Sequence, residues 1–295
     1  MKIGIDLGGT KTEGILIDSN GKELKRTRIK TEKNYKGTIN GIVLIVKDFE
    51  NEFGNCSSIG IGMPGAVSLD SALVKNANSI WLNGQPLKKD LELKLSRNIN
   101  LENDANCFAL SEAVDGAGKN ENVVFGVIIG TGVGGGVVVN KKVLQGRNNI
   151  CGEWGHITLP NKTDDEKKYV KDCYCGKSGC IETYLSGPGF SSSFNLRYSK
   201  DCDTHEIIKG YEQNDENCRE AIKIYIDHLA RGLSIVCNIL DPDIIVLGGG
   251  MSNINIIYEN INDVIKKYIF SDFFHTKIVK HMHGDSGGVR GAAWL

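Results

Sequence analysis

Apolar residues alternate at the start of the chain, at Ile3, Ile5 and Leu7. The run breaks at Gly8-Gly9-Thr10-Lys11-Thr12 and resumes as Gly14-Ile15-Leu16-Ile17-Asp18. Period-two apolarity on both sides of a break rich in glycine and hydroxyls predicts a strand, a tight turn and a second strand. The pattern returns at residues 123–129, breaks at Gly130-Thr131-Gly132-Val133-Gly134-Gly135-Gly136 and resumes at Val137-Val138-Val139-Asn140. Two such copies point to a duplicated lobe. They set the expected boundary near Gly116-Ala117-Gly118-Lys119-Asn120: a smaller lobe over 1–117, completed by a terminal helix over 286–295, and a larger lobe over 118–285. Between and after the copies the spacing predicts helices over 36–52, 103–114 and around 218–240. It also predicts strands at 58–62 and 244–247 and a polar loop over 161–172.

Composition narrows the function. At 295 residues the chain is long enough for two moderate lobes. Its 35 lysines and arginines nearly cancel 36 aspartates and glutamates, so no strong field is available to attract nucleic acid or an anionic membrane. No apolar run approaches the ~20 residues that cross a bilayer, and no signal peptide follows Met1, so the expected location is cytoplasmic. Of nine cysteines, three crowd together as Cys173-Tyr174-Cys175-Gly176-Lys177-Ser178-Gly179-Cys180. In a reducing compartment, C-x-C-x₄-C with His156 upstream reads as a tetrahedral zinc set of three thiolates and one imidazole. Free thiols are the alternative. Four protein ligands leave no open position for a reactive water, so such a zinc is structural.

Glycine-rich turns between strands let backbone N–H groups converge on phosphate oxygens. Neither turn is a P-loop. Gly130, Gly132 and Gly135 match Gly-x-Gly-x-x-Gly formally, but the dinucleotide reading needs a helix next, and Val137-Val138-Val139 favours a strand. Asp6, ending the first strand, is suited to hold Mg²⁺ beside a transferring phosphate. Asn103-Asp104-Ala105-Asn106 opens a helical stretch and reads as an N-cap. Asp104 is equally a carboxylate able to accept a proton from an alcohol.

The runs Gly4-Ile5-Asp6-Leu7-Gly8-Gly9-Thr10-Lys11, Asn103-Asp104-Ala105-Asn106, Gly130-Thr131-Gly132 and Gly152-Glu153-Trp154-Gly155-His156 resemble the ROK family of sugar kinases and repressors over essentially the whole chain. The resemblance implies an α/β fold of the actin-like, ribonuclease H-like ATPase type, two-lobed, with ATP and sugar meeting in the cleft. It implies Asp104 as the catalytic base and Asn78, Asn103, Asp104, Glu153, His156 and Glu182 as sugar-binding residues. His156, Cys173, Cys175 and Cys180 would hold the zinc. Nucleotide contacts are implied at Gly4, Ile5, Asp6, Leu7, Gly8, Gly9, Thr10 and Lys11. The second turn adds Gly130, Thr131, Gly132, Val133, Gly134, Gly135, Gly136, Val137, Val138 and Val139, and Gly248 and Gly249 complete the set.

The segment 75–87 and the stretch 106–116 are most similar to the family's bacterial fructokinases, so an ATP:hexose phosphotransferase acting on fructose is the first expectation. N-acetylglucosamine kinases, which share 103–113 nearly intact, are the second. A sugar-sensing repressor would carry a helix-turn-helix ahead of the first turn, whereas that turn lies within the first ten residues. An actin-type ATPase would need no sugar carboxylates. ATP, Mg²⁺, a structural Zn²⁺ and a hexose are the expected ligands, and a homodimer is the default assembly.

Overall fold

The computed structural model describes residues 1–284 and 287–295. The expected opening motif is an antiparallel hairpin of β1 (Lys2–Leu7) and β2 (Lys11–Ile17), with Ile5 opposite Gly14 and Leu7 opposite Thr12. β3 (Glu23–Lys30) adds an edge strand, and α1 (Tyr35–Phe53) leads to β4 (Ser58–Met63). A small hairpin of β5 (Ala66–Val67) and β6 (Val74–Lys75) precedes α2 (Leu87–Leu95), β7 (Asn100–Asn103) and α3 (Asp104–Val114). The second copy opens with β8 (Val123–Ile129), β9 (Val133–Val139) and β10 (Lys142–Val143). Five helices follow: α4 (Asp164–Lys168), α5 (Glu182–Leu185), α6 (Gly187–Tyr198), α7 (Thr204–Glu212) and α8 (Glu216–Leu240). The chain closes with β11 (Ile244–Gly248), α9 (Asn255–Ile265), β12 (Lys277–Lys280) and α10 (Gly287–Trp294).

Two five-stranded sheets share one topology. The first runs β3-β2-β1-β4-β7 and the second β10-β9-β8-β11-β12. In each, an antiparallel hairpin is followed by strands pairing in parallel, β1 with β4 and β4 with β7, and β8 with β11 and β11 with β12. The duplication read from the two glycine-interrupted strand pairs is therefore a duplication of sheet order.

The chain divides into two compact units, Met1–Asn122 with Gly136–Cys151 and Met282–Leu295, and Val123–Gly135 with Gly152–His281. The division falls after Asn122 rather than at 117/118. The segment 136–151 joins the first unit because its polar groups are spent there: Gln145 donates to Glu102 at 2.5 Å, Asn149 donates to the Val67 carbonyl at 3.2 Å, and the Lys141 ammonium donates to the Ala113 and Lys119 carbonyls. Residues 285 and 286, on which the expected lobe end and the expected helix start fall, lie outside the described residues.

Within the first unit, α1 forms because Ile39, Ile42, Ile45, Val46 and Phe49 recur at helical spacing and are buried. Asn34 caps it, accepting from the Gly37 N–H at 2.7 Å. On the other face of this sheet α10 packs against β1 and β4 at a distance only glycine allows. A Cβ on Gly60 would lie 1.8 Å from the Ala292 carbonyl oxygen, and one on Gly4 2.2 Å from that of Val289. Val289 and Ala293 then form a small core with Ile15 and Ile17. Among the described residues no helix is long and apolar enough to cross a membrane.

Candidate active site

In the first unit, Asp104 is the first residue of α3, directly after β7. Asn103 caps the helix: its Oδ1 accepts from the Ala105 N–H at 2.9 Å, and its Nδ2 donates to the Gly65 carbonyl at 3.0 Å. The cap reading of this tetrapeptide therefore belongs to Asn103. Asp104 Oδ1 also accepts from the Ala105 N–H, at 2.8 Å, which aims the carboxylate along the positive end of the helix. Behind it, buried Glu102 accepts from the Asn103 N–H at 2.8 Å and from Asn106 Nδ2 at 2.9 Å. Together with Gln145 these contacts fix the β7–α3 junction.

Asp6 lies at the end of β1 beside the turn. Burial, then the charges of Asp104 and Glu13, push its carboxyl up to about 7, against a smaller pull from Arg28. Carboxylates crowded in this way favour a bound cation or proton, so the residues present fit Mg²⁺. The turn itself is tight: the Gly8 N–H donates to the Lys11 carbonyl at 3.0 Å, and Thr31 Oγ1 donates to the Gly8 carbonyl at 2.8 Å. Ile5 and Leu7 point into the core, so only backbone there can face a phosphate. Lys11 and Thr10 are exposed, as is Asn78, in the loop ahead of the 3₁₀ turn Ile80–Leu82.

In the second unit, the β8–β9 turn is closed by the Gly130 N–H donating to the Gly132 carbonyl at 2.9 Å, and the Gly187 N–H donates to the Gly130 carbonyl at 2.8 Å. Past the turn, Val137 and Val138, which belong to the first unit, are core residues. Gly249, with φ +80, follows β11. Trp154 is buried under the turn, donates from Nε1 to the Gly134 carbonyl at 3.0 Å and stands edge-on to Phe125. That anchors the 3₁₀ turn Trp154–His156 and leaves Glu153 exposed before it.

The ligand atoms of His156, Cys173, Cys175 and Cys180 all lie within 4.8 Å of one another. Cys173 Sγ is 3.5 Å from His156 Nδ1, and the sulfurs of Cys175 and Cys180 are 3.6 Å apart. A tetrahedral zinc with its usual bond lengths separates its ligands by about 3.5–3.8 Å, so the donor set and its spacing fit. Burial pushes the Cys180 thiol up to about 12, and a metal ion is what would make that sulfur a thiolate. His156 turns its other nitrogen, Nε2, to Tyr174 Oη at 3.0 Å, with the rings edge-on. Tyr174 is a contact that spacing alone does not reveal, because a residue between two cysteines reads as filler. Glu182 opens α5, its Oε2 accepting from the Val133 N–H at 3.0 Å and its Oε1 lying 4.0 Å from Cys173 Sγ.

The polar stretch over 161–172 is pinned. Thr163 and Glu166 form a reciprocal capping box on α4, and the Glu166 carboxylate is gripped by the Arg231 guanidinium and by His228 Nε2 at 2.8 Å. Both partners are buried residues of α8. Burial alone would raise the Glu166 carboxyl, but these hydrogen bonds outweigh it and hold it far below the usual carboxylate range.

The ROK family profile matches residues 2–295. The chain is 40% identical to an N-acetyl-D-glucosamine kinase of Vibrio parahaemolyticus, over 100% of this chain and 99% of the relative. It is 39% identical, with the same coverage, to one of Escherichia coli. Among solved structures, a ROK hexokinase from Thermus thermophilus superposes with a TM-score of 0.88 at 28% identity, covering 100% of this chain and 97% of the other. A ROK family glucokinase from Streptomyces griseus, solved with glucose and AMPPNP, gives 0.78 at 25% identity over 99% and 97%. The matching sheets, the two glycine turns and the full-length similarity leave one conclusion: this chain belongs to the ROK family and has its actin-like, two-lobed α/β fold.

Proposed function

We propose that this chain is an ATP-dependent sugar kinase that transfers the γ-phosphoryl group of ATP to a hydroxyl of N-acetylglucosamine. The observation that carries the kinase reading is the pair of aspartates in the first unit. Asp6, at the phosphate turn, is suited to a cation, and Asp104, at the start of α3, is suited to a proton. The relatives at 39–40% identity across their whole length bear the name N-acetyl-D-glucosamine kinase, which supports the amino-sugar reading over fructose.

Asp104 orients the sugar hydroxyl and accepts its proton as the oxygen bonds to phosphorus and ADP departs; such a base is worth ~10²–10⁴ in rate. Mg²⁺, held at Asp6, would neutralise charge on the phosphates. In each unit, the backbone N–H groups of the glycine turn that are not spent within the turn are suited to phosphate oxygens. In the first unit Asn78 and Asn103, and in the second Glu153 and Glu182, are polar groups suited to sugar hydroxyls, and His156 would be held in register by a structural zinc shared with the three cysteines.

The test is ADP release with Mg-ATP over N-acetylglucosamine, fructose, mannose, glucose and N-acetylmannosamine, each against a control without sugar. Turnover should be highest with N-acetylglucosamine. Dominant turnover with fructose would restore the fructokinase reading, and release that ignores sugar would overturn the kinase.

A further inference from the structure

We propose that Glu182 is a positioning residue for the nucleotide, tying the β8–β9 turn to the cysteine knot; this rests on the kinase reading above. Its carboxylate reaches two ways. Oε2 accepts from the Val133 N–H at 3.0 Å, and Oε1 lies 4.0 Å from Cys173 Sγ. It is the reach of the side chain that brings an acceptor oxygen to this N–H, and the contact fixes the direction of the peptide between Gly132 and Val133. Gly132 is what lets the carboxylate approach: a Cβ there would lie 2.9 Å from Glu182 Oε2.

The segment carrying Glu182 is itself held at both ends. Upstream, Cys180 belongs to the knot, and the Ile181 N–H donates to the Ile157 carbonyl at 2.9 Å. Downstream, the Gly187 N–H donates to the Gly130 carbonyl at 2.8 Å. Residues 180–187 thus grip the turn at Gly130 and at Val133, and a metal ion in the knot would fix the frame from which they do so. Glu182 consequently governs phosphate-turn geometry as well as any sugar contact. Loss of its reach weakens nucleotide binding even when no sugar is present.

The test compares Glu182→Gln, which keeps the reach and an acceptor oxygen but drops the charge, with Glu182→Asp, which keeps the charge but shortens the reach. Binding of a non-hydrolysable ATP analogue with Mg²⁺ is measured calorimetrically without sugar, with zinc content read in parallel to confirm an intact knot. The aspartate variant should bind about tenfold more weakly than the wild type, and the glutamine variant within about threefold of it. An aspartate variant that binds as tightly as the wild type, or a glutamine variant as weak as the aspartate one, overturns the assignment. A wild-type chain that binds no nucleotide would instead remove the kinase reading beneath it.

Discussion

Asp104 and Asp6 stand close enough in the first unit that the charge of one, added to burial, raises the proton affinity of the other to about 7. The sign of the consequence is fixed. Between about 4 and 7 the folded chain keeps a proton that an unfolded aspartate has lost, so this group costs stability as pH rises through that window. With chelator present, Asp6→Asn should remove the cost, of order a few kcal/mol at most. Its melting temperature at pH 8 should exceed that of the wild type, and its difference between pH 6 and pH 8 should shrink. An unchanged pH dependence would show that Asp6 is not the titrating group.

Asp104→Asn keeps the side-chain shape and an acceptor for the Ala105 N–H but cannot take a proton. Turnover should fall by ~10²–10⁴ while affinities for sugar and nucleotide stay within a few-fold of the wild type. Full activity in this variant would remove the base.

Cys175 is the exposed member of the knot, so Cys175→Ser removes a ligand without opening a buried cavity. Zinc content, read by elemental analysis, should drop well below one ion per chain, and sugar affinity should weaken with it because His156 loses its frame. Stoichiometric zinc in the variant would count against the four-ligand set.

Arg231→Leu should be the most destabilising of these changes. It leaves the Glu166 carboxylate, its side chain only 10% exposed, with the His228 ring and the Thr163 N–H but no fixed positive charge, and removing the charged partner of a buried pair costs up to ~3–5 kcal/mol. Because the Glu166 carboxyl is held low, its contribution is complete above the ordinary carboxylate pKa of ~4.3 and is lost at lower pH. Urea titration at pH 7 reads the loss directly; a change under 1 kcal/mol would mean that the pair is idle.

Much of this was legible where the determinants are local. The hairpins flanking the glycine turns, α1, β4, α3, α8 and β11 carry their periodicity in contiguous residues and fall within a few positions of expectation. The cysteine knot needed only C-x-C-x₄-C and a nearby histidine. What escaped is held by distant partners. β3 reads as a charged stretch, Glu23-Leu24-Lys25-Arg26-Thr27-Arg28, because as an edge strand it turns Arg26 and Arg28 onto Glu13 of β2. The stretch over 161–172 reads as a loop because the residues that fix Glu166 lie 62 and 65 positions away. The choice between fructose and an acetamido sugar depends on pocket shape, which no short run of residues encodes.

The seating of α10 against Gly4 and Gly60 also has a consequence for biosynthesis. β1 and β4 are made before the second unit, but the helix that covers one face of their sheet is made after it. At ~5–20 residues per second, β1 and β4 wait tens of seconds at the ribosome before α10 emerges. The second unit, whose residues end at His281, has its whole sequence translated before the first can close. The order of maturation thus inverts the order of synthesis. Truncation ahead of α10 should consequently yield a chain whose second unit folds while its first exposes apolar strands to chaperones.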